Sequence, residues 1–367
     1  MNDRARVLAA VGVTVLLFLC VQLGALTLVE PFQESERQAV ENPEDPANSL
    51  VYFAAILVAT AFMLAAFKYN AQWLIRGLVI AVSAMLGWFV FAEIVPPIIV
   101  VGSLNLLALL GGLGVGLALL VYPEWYVIDT AGVLMGAGAA GLFGISFGLL
   151  PAIILLIALA IYDAISVYKT KHMLSLAEGV MDLKIPVVLV VPTRLSYSYL
   201  ADGSTDGVIE GEATDDGNDG STSDTATQAA SEHTDDSTEL ETEHTEDSVE
   251  DRPRDRDDTA AEADVHPERD ALFIGLGDAV IPTILVASAA YFLEAPTLGI
   301  PGIAMNVPAL GAIVGTIAGL LVLMYMVLQG KPHAGLPLLN GGAISGYLIG
   351  AVASGISIAT ALGLSGL

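Results

Sequence analysis

Two aspartates lie within apolar stretches that are typical of membrane helices. Asp163 lies in the sequence AIYDAISVYK, and Asp278 lies in FIGLGDAVIP. Placing a charged carboxylate at membrane depth costs roughly a few kcal/mol of free energy unless it is paired, hydrated or protonated. The presence of each aspartate therefore indicates a functional site. If the two share a water, one can accept a proton from it while the other donates a proton to a carbonyl oxygen. This chemistry hydrolyses a peptide bond without a metal, a nucleophilic serine or a cofactor.

The two aspartates are predicted to lie at similar depths in consecutive spans that run in opposite directions. Asp163 precedes Tyr168 and Lys169, and Asp278 follows Arg269. At about 1.5 Å per helical residue, each lies roughly 8 to 14 Å inside the same membrane boundary. Side chains of adjacent antiparallel helices at one depth can share a water, so this spacing predicts a catalytic pair.

The residues around Asp278 favour a special role for its backbone. Gly275 and Gly277 remove side chains beside the carboxylate and allow a substrate or a helix to approach closely. Pro282 cannot donate the helical hydrogen bond that the carbonyl of Asp278 would accept. We therefore expect the helix to be loosened at Asp278.

The composition is typical of a polytopic membrane protein. Hydrophobic residues make up 54% of the chain, its mean hydropathy is +0.69, and its apolar runs reach about twenty residues, enough to cross a bilayer. The net charge is −26, and residues 201–270 hold 25 of the 40 acidic residues. Such a charge disfavours nucleic acid as a partner, because phosphates require Lys and Arg. The lone cysteine, Cys20, excludes a disulfide framework.

The apolar runs predict an all-α polytopic membrane protein with nine transmembrane helices. The first run follows two arginines and is interpreted as a retained anchor, because its apolar core is too long for a cleaved signal. The predicted spans are residues 7–29, 50–67, 74–90, 98–122, 126–149, 151–168, 271–292, 307–328 and 336–361.

The positions of lysine and arginine predict the orientation in the cell membrane. Residues such as Lys68, Arg76 and Lys331 all fall on one side if the N-terminus is cytoplasmic. With nine spans the C-terminus then lies outside. The acidic residues 201–270 form an insert on the cytoplasmic side.

The insert separates two membrane parts. The predicted domains are residues 1–170 with six spans, 171–200 with an amphipathic helix and a short strand, the insert 201–270, and 271–367 with three spans. The insert is too polar to form a core, so we expect a disordered tether; a regulatory or partner-binding tail is the alternative. Its scarcity of lysine and excess of aspartate suggest a salt-loving source.

Two less polar segments precede the insert. Residues 171–183 have the apolar spacing of an interfacial amphipathic helix. Residues 185–191, IPVVLVV, predict a short cytoplasmic strand. Such a strand could pair with an extended substrate by main-chain hydrogen bonds, or it could be a packed connector.

Around the aspartates the chain resembles the presenilin and signal peptide peptidase family of intramembrane aspartic proteases. Tyr162-Asp163 resembles the YD motif in the sixth span of the family, and Gly275-Leu276-Gly277-Asp278 matches the GLGD motif in its seventh. The nine spans and the hydrophilic loop between the catalytic spans are also similar. Residues 279–282 resemble signal peptide peptidases, whereas the predicted orientation is similar to presenilin. This mixture suggests an archaeal-type homologue.

The resemblance implies catalysis by Asp163 and Asp278 with no metal and no other cofactor. It also implies supporting or substrate-binding roles for Tyr162, Gly275, Leu276, Gly277, Pro282, Leu336, Pro337, Leu338 and Leu339. The implied partners are transmembrane-segment protein substrates and the lipid bilayer, with no obligate partner subunit.

The third motif of the family, Pro-Ala-Leu at the start of the ninth span, is not intact. Its counterpart is expected in residues 335–340, GLPLLN, where either Pro337-Leu338-Leu339 or Leu336-Pro337 matches. A literal Pro308-Ala309-Leu310 opens the eighth span on the wrong side of the membrane. By the same resemblance, the strand at 185–191 and the residues before the seventh span form a sheet with bound substrate.

The leading function is therefore an intramembrane endopeptidase that cuts transmembrane segments or remnant signal peptides. The alternative is a proton- or ion-coupled transporter using the same carboxylates, although six spans before the insert and three after it do not form inverted repeats. A prepilin-peptidase-like enzyme shares the G-x-G-D chemistry but lacks this spacing of motifs. Glu93 and Asp129 are interpreted as interfacial anchors, and the histidines lack metal-ligand spacing.

Overall fold

The computed structural model describes residues 3–69, 71–102, 104–170, 185–192, 271–329 and 334–364, which all belong to one compact unit. The predicted amphipathic helix at 171–183 and the acidic insert lie outside the described residues. The described residues are mostly helical. The helices are α1 (Asp3–Glu34), α2 (Ala47–Lys68), α3 (Gln72–Ile94), α4 (Leu106–Val121), α5 (Trp125–Ser146), α6 (Leu149–Ile165), α7 (Leu276–Phe292), α8 (Val307–Leu328), α9 (Gly335–Ala353) and α10 (Ile358–Ala361).

Seven helices in the described part of the chain are long and apolar enough to cross a membrane. They are α1, α2, α3, α5, α6 with its π-helical extension Ser166–Thr170, α8 and α9. Helices α4 and α7 are also apolar but have only 16 and 17 residues. The prediction of a mostly helical polytopic protein is therefore confirmed, whereas the count of nine spans stays a prediction.

The fourth predicted span begins too early. The described residues within 98–105 precede α4 and are not helical. Among them, strands β1 (Val100–Val101) and β2 (Leu104–Asn105) form an antiparallel hairpin. Gly102 turns the chain with φ +68°, a conformation that glycine adopts without steric cost. Asn105 then caps α4, because its side chain accepts a hydrogen bond from the amide of Ala108.

The seventh and ninth predicted spans also differ from the structure. Residues 271–275 form strand β4 (Ala271–Gly275), and α7 starts only at Leu276. Strand β4 pairs antiparallel with β3 (Val188–Pro192), with Val188 opposite Gly275. The cytoplasmic location of this sheet stays a prediction. Helix α9 ends at Ala353, and Gly355 turns the chain with φ +77° before α10.

Helix α7 lies at the centre of the bundle. It packs against α1, α5, α6, α8 and α9, and its residues 282–289 are all buried. Because α6 is among these neighbours, the two helices that carry Asp163 and Asp278 are in contact. Helix α2 is peripheral and packs mainly against α6 and α3.

Glycines bring α8 and α9 into direct backbone contact. A Cβ atom at any of the paired glycines would overlap a carbonyl of the facing helix, which is the packing that small residues allow between membrane helices. The facing pairs are Gly311 with Gly346, Gly315 with Gly342, and Gly319 with Leu338. This interface, called the glycine interface below, fixes α9 close to α8 along most of its length.

Candidate active site

Asp163 lies in the last turn of α6, with only 6% of its surface exposed. Its Oδ2 accepts a hydrogen bond from the amide of Leu336 at 3.1 Å, and the amide of Gly335 is a second donor. Both amides belong to the first turn of α9, where backbone N–H groups have no acceptor within their own helix. The N-terminus of α9 thus binds Asp163, and the positive end of the helix dipole favours a negative charge there.

Asp278 lies in the first turn of α7 and is partly exposed. Its Oδ2 lies 3.4 Å from the position that a Cβ atom of Gly335 would occupy, and 3.4 Å from the corresponding position on Gly275. The carboxylate of Asp163 is near enough to interact with Asp278 electrostatically. Glycine at 275 and 335 therefore leaves room around the second carboxylate.

Both aspartates accordingly lie against the start of α9: Asp163 accepts from the amides of Gly335 and Leu336, and the Oδ2 of Asp278 faces Gly335. They reach it from α6 and α7, which are neighbours in the bundle. The structure thus brings together the two residues whose spacing predicted a pair. Their catalytic roles stay predictions at this point.

The position of Asp278 in its helix differs from the predicted one. The predicted span 271–292 made Asp278 the eighth residue of its helix, but residues 271–275 are extended, so Asp278 is the third residue of α7. Pro282 is buried, and α7 continues past it to Phe292. The predicted loosening at Asp278 therefore does not interrupt the helix.

The other residues of the two motifs mainly pack against neighbouring helices. The ring of Tyr162 meets that of Phe53 on α2 edge to face, with centroids 6.1 Å apart. Leu276 is buried against glycines of α5. Gly277 is exposed, and a Cβ atom there would have only Ile281 within 4 Å. Of these motif residues, Gly275 is the one that borders the carboxylate of Asp278.

The expected third motif lies where the two carboxylates meet α9. Leu336 is buried and provides an amide to Asp163. Pro337 is the third residue of α9, a position at which the missing N–H removes no helical hydrogen bond. The carbonyl of Leu338 lies against Gly319, and Leu339 is fully buried. Within the expected segment 335–340, the amides of Gly335 and Leu336 donate to Asp163.

The literal Pro308-Ala309-Leu310 lies at the other end of α9. Pro308 packs against Gly350, fifteen residues after Gly335. At about 1.5 Å per residue this is about 22 Å along the helix. That separation agrees with the interpretation that this triplet is not the functional motif.

Two buried polar residues near the site were not predicted from the sequence. Asn340 is fully buried and donates a hydrogen bond to the carbonyl of Leu156 at 2.9 Å, which ties α9 to α6. Asp129 was interpreted as an interfacial anchor, and this is wrong: it is 6% exposed and accepts a hydrogen bond from the amide of Val190 at 2.7 Å. The sequence feature that could have indicated a buried Asp129 is its position as the fifth residue of α5, inside an apolar run. Among the described residues no cluster of His, Cys, Asp and Glu could hold a metal ion.

Comparison with known families decides the class of protein. A family model for signal-peptide peptidase, presenilin aspartyl protease matches residues 15–356, nearly the whole chain. The chain belongs to this family. Its members are aspartyl proteases, so the signal-peptide peptidase and presenilin family assignment favours hydrolysis over proton- or ion-coupled transport.

Solved structures agree with the family assignment. A presenilin family intramembrane aspartate protease in space group C222 is 28% identical to this chain, with a TM-score of 0.56 over 94% of this chain and 99% of that one. A structure in space group P2 is 29% identical, with a TM-score of 0.53 over 92% and 96% of the two chains. No curated protein matches the chain significantly. The described part of the chain therefore has a presenilin-like fold.

Proposed function

We propose that this member of the signal-peptide peptidase and presenilin family is a GxGD-type intramembrane endopeptidase with Asp163 and Asp278 as its catalytic pair. The observation that supports the proposal is that both carboxylates lie beside Gly335: its amide donates to Asp163, and the Oδ2 of Asp278 lies 3.4 Å from the position that a Cβ atom there would occupy. The position of two acids from adjacent helices beside one residue supports the proposal that they share one water. The substrates are transmembrane segments of membrane proteins or remnant signal peptides.

The proposed reaction is hydrolysis by general acid and base. One carboxylate removes a proton from the shared water, whose oxygen bonds to the scissile carbonyl carbon, while the other aspartic acid donates its proton to the carbonyl oxygen. The resulting tetrahedral diol then collapses: the newly ionised carboxylate takes a proton from a diol hydroxyl, the C–N bond breaks, and the other aspartic acid gives the leaving nitrogen the proton that it took from water. A carboxylic acid and an amine form, and both aspartates return to their starting states. The step consumes one water and needs no metal or cofactor.

The β3–β4 sheet provides a route for the substrate. Peptide bonds inside a helix are shielded, so a transmembrane substrate must become extended before water can attack it. Strand β4 leads through Gly275 into α7 and reaches Asp278 three residues later. An extended segment that pairs with this sheet would run toward the carboxylates, which is recognition by strand addition.

The proposed arrangement in the cell membrane follows the distribution of basic residues. The N-terminus and the acidic insert lie in the cytoplasm and the C-terminus lies outside. This topology puts the β3–β4 sheet and the aspartates toward the cytoplasmic side. The chain is proposed to act without an obligate partner subunit.

The test is cleavage of a synthetic transmembrane peptide by the purified protein in detergent. We expect hydrolysis at defined bonds, read by mass spectrometry, and its loss on adding an aspartic-protease transition-state analogue. Hydrolysis that resists the analogue but is lost with a chelator would contradict the two-aspartate mechanism.

Deleting residues 204–259 is expected to leave cleavage within about threefold of the full-length protein. The prediction depends on composition alone, because so polar a segment contributes no buried core. Cleavage rate and thermal unfolding of the shortened protein in detergent provide the measurement. Complete loss of cleavage by shortened protein that unfolds at the normal temperature would show that the insert is more than a tether.

A further inference from the structure

We propose that Asp129 is a positioning residue that closes the outer edge of β3 and thereby directs strand addition by the substrate to β4. The inference extends the proposed function, since it assumes that an extended substrate joins the β3–β4 sheet. Asp129 belongs to neither sequence motif. Its carboxylate acts on the sheet and not on the reacting atoms.

The contact that carries the inference is short and buried. Asp129 lies in the second turn of α5, and its Oδ1 accepts a hydrogen bond from the amide of Val190 at 2.7 Å. Val190 is the central residue of β3 and lies opposite Phe273 in the register of the sheet. The acid therefore binds the middle of the strand.

The register shows which edge of β3 this amide faces. The amide of Leu276 donates to the carbonyl of Val187 at 2.8 Å, which extends the ladder by one pair beyond Val188 and Gly275. Hydrogen-bonded and non-hydrogen-bonded pairs alternate along an antiparallel ladder. Counted from Val187, the amides of Leu189 and Val191 face β4, and the amide of Val190 faces the opposite edge. The carboxylate of Asp129 occupies the place where a carbonyl of a further strand would bind.

Two glycines of α5 allow this helix to pack closely against the side chains of the sheet. A Cβ atom at Gly132 would lie 3.1 Å from the side chain of Leu189, and one at Gly136 would lie 3.2 Å from that of Leu276. Helix α5 thus contacts β3 and the start of α7 along one face, with Asp129 at its end. A substrate strand beside β3 would need the place that the carboxylate of Asp129 occupies at the amide of Val190. The remaining edge belongs to β4, the strand that leads into Asp278.

An aspartate-to-leucine change removes the acceptor while keeping the branching of the side chain at Cγ. We expect Asp129→Leu to raise the KM for a transmembrane peptide about tenfold, because the Val190 amide loses its buried acceptor and the sheet is less well ordered for pairing. The value of kcat should stay within about threefold, since the substrate that does bind meets the same carboxylates. Asp129→Asn retains an Oδ1 acceptor and should restore KM to near the wild-type value.

Two further measurements separate this positioning role from a general loss of structure. A small transition-state analogue that contacts only the aspartates should inhibit Asp129→Leu as well as it inhibits the wild type. Hydrogen exchange in a peptide covering residues 185–192 should be about tenfold faster in Asp129→Leu and normal in Asp129→Asn. If the leucine variant does not fold, Asp129→Ala takes its place in every comparison.

The outcomes are distinguishable from failure of the proposed function. If the wild type cleaves and Asp129→Leu has an unchanged KM, or if the asparagine variant is as impaired as the leucine variant, the positioning role is wrong. If the wild type does not cleave at all, the proposed function fails. Hydrogen exchange then still decides the edge contact, and unchanged exchange in Asp129→Leu would overturn it.

Discussion

Asp278→Asn and Asp163→Asn are each expected to lower kcat for a transmembrane peptide by at least about 10³-fold, in keeping with the loss of an acid or a base in the transition state. An asparagine side chain has nearly the size of aspartate but neither accepts nor donates the proton that the reaction moves. In the proposed mechanism the two carboxylates act on one water, so the double variant should be no worse than either single one. Initial rates in detergent at saturating peptide measure the effect.

The matched control is Asp45→Asn. Asp45 is a carboxylate in the connection between α1 and α2, where its Oδ1 accepts a hydrogen bond from the amide of Ala47, an interaction that asparagine keeps. This variant should cleave at the wild-type rate. All variants should elute and unfold like the wild type, because no apolar core residue changes. Wild-type turnover by a well-folded Asp163→Asn or Asp278→Asn variant would remove that residue from the catalytic pair.

Gly342→Ala is expected to destabilise the protein by about 1 to 3 kcal/mol, the usual effect of overpacking a close contact. A Cβ atom at Gly342 would overlap the carbonyl of Gly315 in the glycine interface, so α8 and α9 must move apart. Because Gly335 and Leu336 begin α9, their amides should shift from Asp163, and cleavage should fall with stability. Thermal unfolding in detergent and the cleavage rate provide the two measurements.

The neighbouring glycine on α9 provides the control. Gly341 is exposed, and a Cβ atom there would have no atom within 4 Å. Gly341→Ala should therefore leave stability unchanged or raise it by up to about 1 kcal/mol, since alanine favours a helix more than glycine does. Equal behaviour of the two alanine variants would show that close packing at Gly342 is not required.

The apolar runs predicted most helices. They did not predict that the first residues of two of these runs form strands instead of helix. The segments 98–105 and 271–275 are both apolar, and a short apolar run has the same pattern in a strand and in a helix. Strand β4 forms because β3 lies beside it, and that partner is about eighty residues earlier in the chain. Pairing between such distant segments cannot be inferred from local hydropathy.

The residues of the candidate site whose side chains carry the chemistry could be predicted from the sequence. The contacts that the site makes through backbone groups could not. Asp163 and Asp278 were found because acids are rare in membrane helices. The segment 335–340 was expected at the site only from the family resemblance, because the amides of Gly335 and Leu336 differ in no way from the N–H group of any other residue except proline. Asp129 was misinterpreted because its partner, the amide of Val190, is also a backbone group, and it lies 61 residues away.

The short length of α7 has a consequence for how water reaches the aspartates. Its 17 residues extend about 26 Å at 1.5 Å per residue, less than the hydrocarbon thickness of about 30 Å. Because α7 is enclosed by α1, α5, α6, α8 and α9, this difference is taken up by the extended strand β4 before it and not by the lipid. Non-helical backbone at membrane depth requires protein or water around its peptide groups. Asp278 follows β4 by three residues, so in the proposed mechanism the polar surroundings that satisfy the backbone of the strand also admit the reacting water.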